Sequence, residues 1–452
     1  MQGCMTIDRR RFLTMTGVGT GLAFTGSLSG LLTPLPVSAR RGRAGYGELV
    51  TDPNGLVDLP HGFRYQVFSR EAVDLLDDGT PVPASHDGMA AFQGRRGRTL
   101  LVRNHEIDAE GVEEDGLTPV PHVAGMTYDP DLLAGGTTTL VVGPDRRLES
   151  ARVSLAGTVD NCAGGPTPWG TWLSCEESFE DVGRRHGYVF EVDPVHGGNP
   201  EPISAMGRFE HEAVAFGRHG NAYLTEDAGG EDFKHGLVYR FSPEARRLGR
   251  GALHQGGLLE AMKVPDLGGA DLSVVTEPGS VFGVAWNAVA EPDPDQDEIR
   301  FVTDATPVFK AEGIWWGRGS IWFVSSYAAG PAAEDPEDVT AGVHGGQIWR
   351  YDERRAEIEL VAVFDAAGPF DGPDNITVSP YGFALACTDG EDDQWLVGVT
   401  EDGDVFPFAF NRANDSEFAG ATFSPDGRTL FVNIQEPGHT LAIYGPWRTL
   451  VS

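Results

Sequence analysis

The chain has 452 residues, 40% of them hydrophobic and 22% charged, which excludes a wholly disordered polymer and leaves enough apolar mass for a sizeable core. Glycine contributes 60 residues and proline 30 without a fixed period, which excludes collagen and favours a turn-rich all-β architecture. With 34 basic against 67 acidic residues the net charge is −33, a surface that repels nucleic acid and anionic membranes but suits hard cations. An anionic substrate needs local positive charge, from metals or a few basic side chains, to approach such a surface.

Taken in chain order, the first feature is an address. Asp8-Arg9-Arg10-Arg11-Phe12-Leu13 opens a weakly apolar stretch that runs to about Leu32 and is followed by Val37-Ser38-Ala39, a small-residue cleavage pattern. Charged head, apolar middle and small-residue end predict an export signal over residues 1–39. The paired arginines followed by Phe-Leu resemble the twin-arginine (Tat) signal, which implies the Tat translocase as partner and a periplasmic or extracellular destination. The stretch is too glycine-rich for a permanent span, and no other segment approaches 18 uninterrupted apolar residues. Of Cys4, Cys162, Cys175 and Cys387, removal of the signal leaves three. An odd number leaves at least one thiol unpaired or bound to something else.

One phrase then recurs: a turn glycine, a short strand, and a polar or acidic end. Copies start at Gly97, Gly170, Gly220, Gly319, Gly382 and Gly427, so there are six. Each is preceded by another short strand, often with a polar start at Asn161, Glu212, Glu312 or Asn375, and several are followed by an outer strand. The unit reads as a sheet of roughly four strands, and six such sheets predict a single six-bladed β-propeller over residues 45–452, with loop insertions. A pair of β-sandwiches does not account for six copies of one phrase.

In a propeller, corresponding strand ends from all blades converge on one mouth of the central channel. The residues brought there are Glu106, Cys175, Glu176, Glu177, Glu210, Glu212, Glu226, Asp227, Glu312, Asp374, Asp389 and Glu436. So many carboxylates repel one another unless cations neutralise them, which predicts a site for several metal ions. Oxygen donors suit calcium, and a thiolate among them suits a softer metal such as iron or zinc. Cys175 itself is open to three readings: buried core, a disulfide with Cys162, or a metal thiolate. Cys387 reads as core, and His105 and His211 as packing groups or supports for ligands. No serine elbow, zinc-finger spacing or phosphate-binding glycine loop is present.

The phrases Arg103-Asn104-His105-Glu106, Asn161-Cys162-Ala163-Gly164-Gly165, Pro168 through Glu177, Arg208-Phe209-Glu210-His211-Glu212, Glu312-Gly313 and Gly420 through Gly427 resemble the PhoX-type alkaline phosphatases over essentially the whole mature chain. The resemblance implies a six-bladed propeller that hydrolyses phosphate monoesters with a pair of ferric ions and several calcium ions linked by an oxo group. It implies Cys175 as the thiolate bridging the irons, with Glu176, Glu212 and Glu312 as iron or shared ligands. Glu106 and Asp227 become calcium ligands, and Asn161 a donor to substrate phosphate. Lys310 stands where the family has a phosphate-binding arginine, which keeps the charge but loses the bidentate fork. The expectation is an exported, monomeric phosphatase that uses a metal-bound oxide or hydroxide, Lys310 and Asn161, without a covalent intermediate. The alternatives are a calcium-dependent lactonase or esterase, and a non-catalytic calcium-binding propeller.

Overall fold

The computed structural model describes residues 44–228, 235–295, 299, 303–328, 343–390 and 393–450; the expected export signal, 1–39, lies outside them. Six larger antiparallel sheets of four to six strands arise in chain order. Their inner strands are His86–Gln93, Gly164–Pro166, His211–Phe216, Ala311–Gly317, Pro373–Val378 and Phe418–Phe423. These define blades 1 to 6, and each inner strand packs against the next, the sixth returning to the first. The fold is a six-bladed β-propeller.

The recurrent phrase is the second strand of every blade: Thr99–His105, Trp172–Cys175, Ala222–Glu226, Ser320–Ser326, Phe383–Thr388 and Thr429–Ile434. Its glycine makes the turn from the inner strand. Gly97, Gly170, Gly220, Gly319, Gly382 and Gly427 all have φ between 70° and 101°, where any other residue would be strained.

These second strands are apolar on both faces because each face belongs to a different layer between blades. In blade 4, Ile321 and Phe323 pack with Ile314 and Trp349. Trp322 and Val324 point the other way, against Ile348, Ala384 and Ala386. Period-two side-chain alternation therefore feeds two cores from one strand. The ring is closed by the amino-terminal segments. Arg64–Arg70 pairs with His439–Tyr444 as the outer strand of blade 6, and Val57–Pro60 pairs with Val405–Asn411 in blade 5. Among the described residues no helix is long and apolar enough to cross a membrane.

Candidate metal centre

The site is built by one irregularity repeated around the ring. At the start of the inner strand, the pairing with the second strand slips by one residue in blades 1, 3, 4 and 5. Such a bulge pushes one residue out of the ladder and re-aims its side chain. The second residue of each of these strands is an acid: Asp87, Glu212, Glu312 and Asp374. In blade 2 the regular strand starts later, but the same backbone bonds mark the position. Glu177 N–H donates to Asp160 O, as Glu106 does to Ser85, Ser326 to Lys310 and Asp389 to Gly372. Two residues past each acceptor stands Cys162, Asp87, Glu312 or Asp374. Blade 6 has its slip at Gly420, where a Cβ would meet Asp87 O at 2.4 Å.

The residues before these bulges are twisted too. Ser85, Asp160 and Lys310 all have φ of 43°, and Gly372 has 52°. For a residue with a Cβ this left-handed geometry costs about 1–2 kcal/mol, and it is characteristic of functional sites.

Among the described residues three groups of donors result, each with its ligand atoms within 4.8 Å of one another: Cys162, Glu177 and Glu212; Glu212, Glu312 and Asp374; Asp374, Asp389 and Glu417. Glu212 and Asp374 are shared, so the three positions are contiguous. The first is thiol and carboxylate, the others all oxygen. That gradient fits a softer transition metal at one end and calcium at the other.

The electrostatics point the same way. Burial, then the charges of Asp374, Glu177 and Glu312, pushes the Glu212 carboxyl well above its ordinary range. Asp87 is raised by burial and Glu106, and Glu417 by burial, Asp389 and Asp374. The Cys162 thiol is raised by burial, Glu212 and Glu177. Groups that cannot ionise together become good ligands once cations stand among them.

The residues expected from the sequence divide into two sets. Glu212 and Glu312 meet at one group, with Asp374 and Asp389 beside them. Cys175 does not enter these groups. It is 0% exposed and shares its strand face with Leu173 in the layer between blades 2 and 3. Cys162, Cys175 and Cys387 are free and buried, so no disulfide joins the first two. Glu176 is also 0% exposed. Its carboxylate accepts from Val159 N at 3.1 Å, Gly187 N at 2.9 Å and Tyr188 N at 3.1 Å, and lies 2.7 Å from His186 Nδ1. Those bonds use the lone pairs that a metal would need.

Asn161 is buried as well. Its amide oxygen accepts from Thr158 Oγ1 at 2.6 Å, and its nitrogen donates to Ser174 Oγ at 2.9 Å. Lys310 Nζ lies 2.8 Å from Asp227 Oδ2 and 2.7 Å from Glu312 Oε1 at the rim of the carboxylates. Glu106 accepts from Gln435 Nε2 at 2.6 Å and stands beside Asp87. Glu226 accepts from Tyr239 OH at 2.7 Å, a scaffold contact. His105 spans Ala84 O and Thr138 Oγ1, and His211 stacks on Phe209 with centroids 3.6 Å apart.

Sequence reasoning did not single out Asp87, which stands beside Glu106, or the candidate donors Cys162 and Glu417. Asp87 and Cys162 carry a readable signal: they occupy the inner-strand start already noted at Glu212 and Glu312. Glu417 lies three residues before the Gly420 bulge and follows no repeat.

A family model described as Alkaline phosphatase PhoX matches residues 44–438. Among solved structures, the fold is similar to that of Pseudomonas fluorescens PhoX in complex with vanadate, a transition state analogue. That likeness has a TM-score of 0.66 and 19% identity, over 86% of this chain and 96% of the other. A gluconolactonase, XC5397 from Xanthomonas campestris, is a more distant likeness: TM-score 0.46 and 12% identity, over 88% of this chain and 98% of that one. No curated protein sequence matches.

Proposed function

We propose, from the premise that the chain belongs to the alkaline phosphatase PhoX family, that this phosphoric ester hydrolase works at the carboxylate–thiol mouth of its propeller. The observation that carries the reading is the contiguity of the three donor groups through Glu212 and Asp374. Cys162, Glu177 and Glu212 would hold iron, shared onward through Glu312, and Asp374, Asp389 and Glu417 would hold calcium. When bound, these cations supply the positive charge and the activated oxygen nucleophile that phosphoryl transfer requires.

The chain's own residues supply position. The bulges bring Glu212, Glu312 and Asp374 into these groups, and the matching backbone bond of blade 2 sets Cys162 among them. Glu176 ties the segment carrying Cys162 to the one carrying Glu177 through its bonds to Val159, Gly187 and Tyr188. Asn161 braces the turn from Thr158 to Cys162. Lys310 is the substrate-facing cation, its ammonium at the rim where an ester's phosphate would arrive against the acidic field of the chain. The amino terminus fits export of the folded, metal-loaded monomer through the Tat pathway to the periplasm or medium.

The test is elemental analysis of protein exported from its native host together with hydrolysis of p-nitrophenyl phosphate. Iron and calcium with activity are expected; an active protein holding neither would refute the assignment of the centre. Lys310→Ala should raise KM about tenfold or more with less change in kcat, as loss of a ground-state contact to phosphate does.

A further inference from the structure

At the end of the inner strands opposite the carboxylates lies a cavity of ≈ 610 Å³. It opens where the inner strands of blades 2, 3 and 4 end, and its walls include Phe216, Leu248, Trp315 and Trp316, with Arg218 and His219. Along blade 4 the metal-facing Glu312 and the cavity-facing Trp316 are four residues apart, roughly 13 Å of strand. Trp315 packs against the buried cluster that includes Ala90, Val102 and Trp172 of blades 1 and 2, as Phe92 does.

The walls and rim differ in chemistry. Trp315 and Trp316 are only partly buried, Leu248 is 39% exposed, and Arg218 and His219 face solvent. In a chain with 67 acidic residues, Arg218 makes no ion pair among the described residues. The neighbouring Glu353 carboxylate is engaged by the Arg218 backbone N–H at 2.8 Å and by Tyr223 OH at 3.0 Å. The guanidinium carbon stands 5.8 Å from the Trp316 ring centroid. Aromatic walls take a flat ring by burial and stacking, and a guanidinium at the rim pairs with a carboxylate or sulfonate carried on that ring.

We propose that this cavity is a second binding site, for a small aromatic anion, separate from the metal mouth. The test is calorimetric titration of the metal-loaded full-length protein with 2-naphthoate and, as its uncharged counterpart, 2-naphthylmethanol. Naphthoate should bind saturably, about tenfold tighter than the alcohol. Arg218→Gln should abolish that preference while p-nitrophenyl phosphate hydrolysis is unchanged, and Trp316→Ala should weaken both ligands. Absence of saturable naphthoate binding would overturn the proposal, as would equal naphthoate affinity in wild type and Arg218→Gln. Displacement of naphthoate by inorganic phosphate would also overturn it, by locating the ligand at the metals.

Discussion

At one end of the propeller the six inner strands turn back through Gly97, Gly170, Gly220, Gly319, Gly382 and Gly427, all in the left-handed geometry that glycine adopts at little cost. At the other end Ser85, Asp160 and Lys310 adopt the same region with side chains attached, the ladder slips, and acids crowd together. The strands are shared, so the contrast is not one of fold. The regular turns and the layers between blades provide the stability, and the mouth draws on it to hold strained, self-repelling groups. The candidate metal site is made by displacing one residue per blade out of a ladder.

The sharpest test of that contrast sets two buried cysteines 13 residues apart against each other. Cys162→Ala is expected to lose iron and to reduce phosphatase activity by at least about a hundredfold. Cys175→Ala should keep both, since its sulfur lies outside the three donor groups that include Cys162. Elemental analysis and the p-nitrophenyl phosphate assay check this, and equal loss in both variants would break the comparison.

The next effect is on stability. Glu176→Gln sets an amide against the N–H groups of Gly187 and Tyr188 and should cost about 2–3 kcal/mol in urea unfolding. It should also weaken iron binding about tenfold or more, because the strut between the Cys162 and Glu177 segments is gone. An unchanged iron affinity would reduce Glu176 to ordinary core.

Removing the metals exposes the self-repulsion. The folded carboxyls of Asp87, Glu212 and Glu417 are raised above their ordinary values of 3.8, 4.5 and 4.5. Their contribution is therefore full below those values and is lost as pH rises toward the raised folded values. Metal-free protein should show a melting temperature that falls with rising pH over that window. Calcium and iron should flatten the curve, and a metal-free curve as flat as the loaded one would count against the cluster.

The smallest effect is expected at the regular end. Gly170 has φ of 85°, and a Cβ placed there would meet nothing within 4 Å. Gly170→Ala should thus cost only the backbone conformation, about 1 kcal/mol, with metal content unchanged.

Much of this is legible in the residues alone. The glycine of each phrase announces its turn, and the two-sided apolar strands announce a ring of packed sheets. Glu212 and Glu312 are legible because they start strands that visibly precede the phrase. Cys162 is harder, since blade 2 has the short inner strand Gly164–Pro166 and two cysteines of similar context. Counting along the chain favours Cys175, which is followed by Glu176 and Glu177, yet the thiol that joins a donor group is that of Cys162. Asn161 shows the same limit: a polar residue at a strand start is turned inward to Thr158 and Ser174.

What the amino-acid sequence determined by itself was the number of blades and the end of the ring where charge gathers, because turn glycines and period-two patterns are local signals. Which side chain at that end reaches the axis was decided only by tertiary structure. A one-residue bulge inverts the facing of a strand residue, and bulges arise from the pairing of strands, which a linear reading of the residues does not contain.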